Sequence, residues 1–378
     1  MKKPKVLFFL HLPPPIHGVT ITNSRIIESA LIQKDLCVKI LPISYNQEIT
    51  SIGQPGFKKI LKTIQLLIQL TKILITFRPQ LVYFSIVPTG IYFYRDAVFV
   101  FLIKLFGRKI LLHLHGIGID QSIRGTFSRW IYRTTFKNSY TILQSESLRK
   151  DISKIRNVIR KIFIVHNAIP FTQTAFPKAT AQNFLTFINI STVIPAKGQM
   201  DILKAAQKLI EQNINSFQII LVGQVFDRDY DVQLKTFIAK HSLEKYIYFK
   251  GALFNEEKIR ELEKADIFLF PSYNESFGLV SIEAMRAGLP VIATHVGSLS
   301  EIIGPGCGFL YSPGDIEALA QHMLYFIKNR GAVAPMGKKA FEVFTRKFTF
   351  EIFEQKMHQV FLDVLQSTKP NISRQPRG

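Results

Sequence analysis

Twelve short apolar runs, set between helical patterns, constrain this chain more than any other feature. Six lie at 6–10, 38–42, 81–85, 110–115, 141–144 and 162–166, and six more at 183–190, 217–222, 247–250, 267–271, 291–294 and 308–311. Apolar runs of about four to eight residues are strands buried on both faces, and strands that alternate with helices join into a parallel sheet. The rhythm stops at 170–182, where Pro, Thr, Ala and Gln replace it, and then restarts. Two βα series imply an α/β chain of two parallel-sheet domains. The expected limits are 1–172 for the first, 173–347 for the second, 348–366 for an amphipathic helix crossing back to the first, and 367–378 for a mobile polar tail.

Composition agrees with a globular chain. At 378 residues and 47% hydrophobic content, disorder, collagen and a disulfide-stapled mini-protein are excluded. Cys37 and Cys307 lie far apart and lack metal-ligand spacing, which reads as a reduced, cytosolic compartment. The apolar run at 6–10 is too short for a signal peptide and three prolines follow it, so it is a first buried strand. No stretch reaches the roughly 18 apolar residues that span a bilayer. Lys62 and Lys72 interrupt 60–77, and Lys104 stops 97–103.

The charge is unevenly placed. Of 48 basic and 27 acidic residues, 25 and 7 lie in the first 170 positions, so that half carries +18 and the remainder +3. An excess this local reads either as a merely soluble basic surface or as one facing a polyanion, nucleic acid or an anionic membrane leaflet. The segment 57–78 favours the membrane. One helical apolar stripe (Phe57, Ile60, Leu61, Ile64, Leu67, Ile68, Leu74, Ile75) lies beside a second (Leu66, Leu70, Ile73, Phe77), with Lys58, Lys59, Lys62 and Lys72 among them. Docking on a core uses one stripe and leaves the other over, unless the helix is fully buried. Phe93, Phe99, Phe101 and Phe106, near Arg95, Lys104, Arg108 and Lys109, add aromatic bulk. No nucleic-acid-binding module is recognisable.

The chemistry concentrates in ADIFLFPSYNESFGLVSIEAMRAGLPVIATHVG, residues 265–297. A buried strand ends in a loop, an acidic residue and a flexible Gly278 follow, and a helix runs from about Leu279 to Gly288. Ligands of doubly wound sheets bind outside strand carboxyl ends, and a helix amino terminus attracts an anion such as a diphosphate. Glu275 and Glu283 are eight apart, one at the helix entrance and the other about two turns in. A carboxylate accepts hydrogen bonds from a vicinal diol, so the pair suits two sugar rings of one ligand.

These residues resemble the retaining glycosyltransferases of family 4, whose E-x7-E signature Glu275 and Glu283 match within PSYNESFGLVSIEAMRAGLPVIAT. The likeness continues through VGSLSEII, GFL, PGD, the AKG at 196–198 and the VHNAI at 165–169. It implies a GT-B architecture, two Rossmann-like domains facing across a cleft, with the nucleotide-sugar held mainly by the second and the acceptor by the first. By resemblance, Glu283 binds the ribose diol, Glu275 lies near the transferred sugar, and Lys197 holds the diphosphate and stabilises the leaving group. The amides of Phe277, Gly278 and Leu279 complete the donor contacts. His115, at a strand end in LLHLHG, matches an active-site histidine, while His113 reads as a core histidine. Gly18, closing LPPPIHG, matches a glycine that approaches the donor phosphate, with a plain strand-to-helix turn as the competing reading.

Two departures stand out. Ser191 and Thr192 occupy the place of the family's Gly-Arg pair, and His295-Val-Gly-Ser replaces an acidic residue and paired glycines. The D-x-D spacing in Asp227-Arg-Asp-Tyr-Asp231 reads as a solvated loop, and no essential metal or other cofactor is expected. The expected function is transfer, with retention, of a hexose-type sugar from a UDP- or GDP-linked donor to a hydroxyl of a lipid-linked or oligosaccharide acceptor in cell-surface polysaccharide synthesis. The enzyme would be cytoplasmic and peripheral on the inner face of the membrane, with no nucleic-acid partner. The competing reading is a non-catalytic sugar-nucleotide or polyanion-binding protein on the same fold.

Overall fold

The computed structural model describes residues 2–14, 18–43, 57–171 and 184–367. Each of the twelve apolar runs is a strand: β1 (Lys5–His11), β2 (Cys37–Ile43), β3 (Leu81–Ile86), β4 (Lys109–Leu114), β5 (Tyr140–Leu143), β6 (Lys161–Ile164), β7 (Leu185–Ile190), β8 (Phe217–Val222), β9 (Ile247–Gly251), β10 (Ile267–Phe270), β11 (Val291–Thr294) and β12 (Gly308–Tyr311). They form two six-stranded sheets, ordered β2-β1-β3-β4-β5-β6 and β12-β11-β10-β7-β8-β9. All pairings are parallel. This is the two-domain α/β fold expected.

The chain packs as two units, Met1–Leu143 with Asp151–Val165 and Glu354–Gly378, and Gln144–Lys150 with His166–Phe353. The boundary between the units falls between Val165 and His166, ahead of the expected limit of 172/173. Ile169 N already donates to Phe348 O in the second unit. The 172–183 part of the linker, residues 15–17 of the glycine loop and the 368–378 tail lie outside the described residues.

In the first unit, alternate strand residues separate two layers, as the two-residue period of a strand requires. Leu7, Phe9, Val82, Phe84 and Leu112 face the helices Phe57–Thr76, Gly90–Leu105 and Thr126–Phe136. Phe8 and Tyr83 face the other way and meet Phe361 of the helix Phe350–Gln366, with ring centroids 5.4 Å apart in each case. That helix is tied at its end by Lys109, whose ammonium donates to the carbonyls of Val364, Leu365 and Ser367 at 2.7–2.9 Å. A cation belongs there, where carbonyls without intrahelical partners gather.

Other cations of this half are also structural. Lys104 donates to the carbonyls of Thr134, Thr135 and Lys137 at 2.6–2.9 Å, and burial, followed by the charge of Lys137, pushes its pKa down to about 8. Arg95 pairs with the fully buried Asp96 at 2.6 Å. The aromatic residues grouped with them belong to the core: Phe93 and Phe99 are fully buried, and Phe101 and Phe106 pack against the same cluster. The helix Phe57–Thr76 is not fully buried. Leu66, Leu70, Ile73 and Leu74 dock, whereas Ile60, Leu61, Ile64, Ile68 and Ile75 are exposed.

In the second unit Phe187, Ile219, Leu269 and Ile292 face one core, and Ile188, Ile220, Phe268 and Val291 the opposite one. Asp266 precedes β10 and accepts from Thr186 N at 2.7 Å. Burial pushes its carboxyl up to about 6, although the Thr186 amide and the charge of Arg330 pull the other way. The unfolded carboxyl titrates near the ordinary aspartate value of 3.8, so its contribution to stability is full below about pH 4 and is lost as the pH rises through 6. Asp266→Asn keeps an acceptor for Thr186 and removes that loss. Thermal melts should show the variant matching wild type near pH 4 and gaining on it by pH 7, by roughly 2 kcal/mol. A difference that does not change with pH would contradict this assignment.

Candidate functional site

The strand order of the second sheet reverses between β7 and β10, which are neighbours although far apart in sequence. Loops leaving two such strands diverge to opposite sides and open a crevice at their carboxyl ends. Lys197 lies on the loop after β7, in the turn Pro195–Lys197, and Glu275 on the loop after β10. The topology thus brings together residues 78 positions apart, with Lys197 Nζ 2.8 Å from Glu275 Oε2 and 3.5 Å from Asn274 O.

Close backbone packing holds these loops. Tyr273 N donates to Ala196 O at 2.9 Å. Gly198 has φ +72°, and a Cβ there would lie 2.2 Å from Pro271 O. Gly297 has φ +54°, and its Cβ would lie 1.9 Å from Glu275 O. Thr294 Oγ1 donates to Ser272 O, and both the amide and the hydroxyl of Ser298 donate to Ser276 O. The VGS motif after β11, with its single glycine, therefore clamps the loop that carries Glu275.

The helix Leu279–Arg286 begins at Gly278, whose φ of +85° is left-handed and suits glycine. Ser281 Oγ donates back to Gly278 O at 2.6 Å. Phe277 is buried, its ring near His166 and Phe348, so only its main chain is offered to a ligand. The first turn of a helix leaves amide donors without intrahelical acceptors, although here Ser281 N donates to Gly278 O at 2.9 Å. Glu283, one turn into the helix and not the two expected, accepts from Lys258 Nζ at 2.7 Å through Oε1. Its Oε2 is buried and has no hydrogen-bond partner among the described residues. Two lysine–carboxylate pairs thus flank one helix entrance, and one carboxylate keeps an acceptor in reserve.

Lys258 was missed by sequence reasoning, since it belongs to no spacing pattern and meets Glu283 from the helix Asn255–Lys264, 25 residues earlier. Where an arginine is absent, Ser191 Oγ donates to Asn189 Oδ1 and accepts from Gln199 Nε2, which also reaches Thr192 O. The D-x-D segment has a structural use: Asp227 caps the helix Arg228–Lys240 by accepting from Tyr230 N, and Asp231 pairs with Lys235. No group of three metal-ligating side chains occurs among the described residues. His166 of VHNAI bonds Glu301 of VGSLSEII at 2.7 Å, and Glu301 also accepts from the amides of Glu146 and Ser147. These two motifs thereby brace the segment Gln144–Lys150.

His115 and Gly18 belong to the first unit. Gly18 opens the helix Gly18–Glu28. His115 follows β4 directly, mostly buried, its ring 3.9 Å from that of His113. His113 is fully buried with Nδ1 2.6 Å from the Tyr83 hydroxyl, and burial, then His115, holds its pKa well below the usual histidine value. Neutral His113 is a rigid wall beside His115.

Gly297→Ala should unfold the clamp, because the new Cβ meets main chain and not a movable side chain. A loss of at least about 2 kcal/mol in thermal or denaturant unfolding is expected, and Gly304→Ala, with open space around it, serves as the neutral control.

Residues 171–343 match the protein family described as glycosyl transferases group 1. The chain is 27% identical over 274 residues to an N-acetyl-alpha-D-glucosaminyl L-malate synthase of Bacillus anthracis, covering 69% of each. It is 28% identical over 246 residues to an uncharacterized glycosyltransferase of Methanocaldococcus jannaschii, covering 64% of each. Among solved structures it resembles a glycosyltransferase from Rickettsia africae, with TM-score 0.76 at 17% identity over 97% of this chain and 100% of that one. It also resembles Anabaena HepE in complex with UDP, with TM-score 0.72 at 18% identity over 95% and 100%. The two parallel sheets have the GT-B fold of these structures, and the likeness to glycosyl transferases group 1 rests on residues 171–343.

Proposed function

We propose that the protein is a retaining glycosyltransferase that moves a hexose-type sugar from a UDP- or GDP-linked donor to a hydroxyl of a lipid-linked glycan in polysaccharide synthesis. The observation that carries this reading is the pair of lysine–carboxylate contacts around the amino terminus of helix Leu279–Arg286, with Glu283 Oε2 buried and unsatisfied. A ribose diol supplies the donor that this oxygen lacks. An unsatisfied buried carboxylate oxygen is costly, so a ligand that satisfies it gains affinity.

The diphosphate is placed against the amides of Gly278 and Leu279 and the ammonium of Lys197. That ammonium has three donors and gives one to Glu275 and at most one more to Asn274. The remaining proton faces the bridging oxygen, where negative charge grows as the glycosidic bond to the diphosphate breaks. A fixed cation there lowers the barrier because its interaction strengthens in the transition state. Glu275, held by Lys197 and by Ser276 N, positions the sugar hydroxyls. By analogy with the family, His115 is assigned to the transferred sugar. The acceptor hydroxyl attacks the face the diphosphate leaves and passes its proton to the departing diphosphate oxygen, so stereochemistry is retained without a covalent enzyme intermediate, and catalysis is positioning and charge stabilisation. No metal is needed where a lysine and a helix terminus supply the positive charge. Support for a UDP donor comes from the fold neighbour solved with UDP.

Calorimetric titration with UDP, GDP, ADP and their sugars tests this, on wild type and Glu283→Ala. One nucleotide should bind, about tenfold or more weaker in the variant, and undiminished by EDTA. Lys197→Ala should keep the fold and lower transfer by 10²–10³-fold, the approximate effect of removing one electrostatic contact in a transition state. Nucleotide binding with no transfer or donor hydrolysis in wild type would instead favour a non-catalytic sugar-nucleotide-binding protein. The observation behind that alternative is the Ser191 hydroxyl, engaged with Asn189 and Gln199 where the family places a cation.

A further inference from the structure

We propose that the outer face of the helix layer on the first sheet, centred on helix Phe57–Thr76, docks on an anionic lipid leaflet. This deepens the lipid-linked acceptor reading and rests on it for its purpose, while the surface itself is argued from the first unit alone.

The helix Phe57–Thr76 has two apolar faces, and the sheet uses one. Ile60, Leu61, Ile64, Ile68 and Ile75 are 48–65% exposed. At roughly 100° per residue they share an arc of about 100°. The exposed Lys72 lies at the edge of that arc and the exposed Lys62 farther round. Leu67, Ile68 and Ile75 line a shallow groove bordered by Lys72, Thr71 and Thr76.

Neighbouring helices extend the surface. Gly90–Leu105 packs beside Phe57–Thr76, and Thr126–Phe136 beside Gly90–Leu105, with all three sharing one core cluster on one side of the sheet. On the side away from that core Gly90–Leu105 exposes Ile91, Val98 and Leu105, the last by 83%. Thr126–Phe136 exposes Phe127 and Trp130, with ring centroids 6.4 Å apart. Arg124 and Arg129 are exposed beside them.

Charge selects the occupant. The only acidic residue in the three helices is Asp96, which is fully buried and paired with Arg95. A face of exposed aliphatic and aromatic side chains bordered by cations and neutral polar groups, with no exposed carboxylate on the three helices, matches the boundary between acyl chains and anionic headgroups. Two copies of the chain meeting by this face would bring lysines and arginines together, which disfavours a symmetric dimer. Among the described residues no helix is long and apolar enough to cross a membrane, so contact is with the leaflet surface.

Trp130 is the only tryptophan in the chain and reports its own environment. The test is co-sedimentation and tryptophan fluorescence of the full chain with phosphatidylcholine vesicles, with and without about 30 mol% phosphatidylglycerol. Expected are binding to the anionic vesicles with a blue shift of Trp130, and at least tenfold weaker binding both to pure phosphatidylcholine and by Ile64→Gln/Ile68→Gln. Both replaced side chains are exposed, so melting temperature and nucleotide binding should be unchanged in the double variant. The proposal is overturned if the double variant binds vesicles as tightly as wild type, or if wild type binds neither vesicle. A wild-type dimer in light scattering that the double variant dissociates would overturn it too, assigning the face to a second copy. Nucleotide calorimetry on the same samples separates the two readings: lost lipid binding with intact nucleotide binding removes the surface alone, and the converse removes the donor site alone.

Discussion

The reversal of strand order between β7 and β10 is the constraint on which the candidate site depends. Parallel strands send their connections to one face or the other, and only where that direction switches do two loops leave a crevice between them. Lys197 and Glu275 occupy those two loops, and their contact follows from the topology. The crevice keeps its shape because glycines remove side chains where backbone meets backbone, at Gly198 against Pro271 and Gly297 against Glu275. Hydroxyls from β11 and its loop, Thr294 and Ser298, then hold the loop carbonyls of Ser272 and Ser276. Rigid backbone of this kind places charges without further reorganisation, which is what electrostatic stabilisation of a leaving group requires.

The first unit shows how a basic excess divides between structure and surface. Lys104 and Lys109 each gather three carbonyls, closing the ends of neighbouring elements, and Arg95 neutralises a buried carboxylate. Of these three, only Arg95 has its charge offset by a carboxylate. Those that remain exposed, Lys62, Lys72, Arg124 and Arg129 among them, lie with side chains such as Ile68 and Trp130 on the helix layer. A helix with two apolar faces can satisfy a sheet with only one of them, so its second face must meet water or another apolar phase.

Much of this was legible in the sequence, for reasons tied to particular residues. Strands buried on both sides have to be continuously apolar, so runs such as FINI in β7 and IFLF in β10 announce themselves. The glutamates of the E-x7-E spacing and Gly278 were found because one local unit, a loop and the helix it enters, carries them all. Aromatic residues misled at Phe93 and Phe99, which pattern alone placed with a charged surface. Burial put them in the core, because a residue's side of a helix depends on which stripe the sheet takes.

What the sequence determined by itself was therefore periodic or local: twelve strands, two series, the helix entrance and the charge difference between the halves. Each is set by interactions within a few residues or by the simple need to bury apolar side chains. Tertiary structure alone decided the rest, because it joins residues through space without regard to spacing. It set the contact of Lys258 with Glu283, the brace from His166 to Glu301, the consumption of Ser191 by Gln199, and the choice of stripe on helix Phe57–Thr76. Strand order is fixed by how helices cover the sheet as a whole, and no window along the chain contains that information.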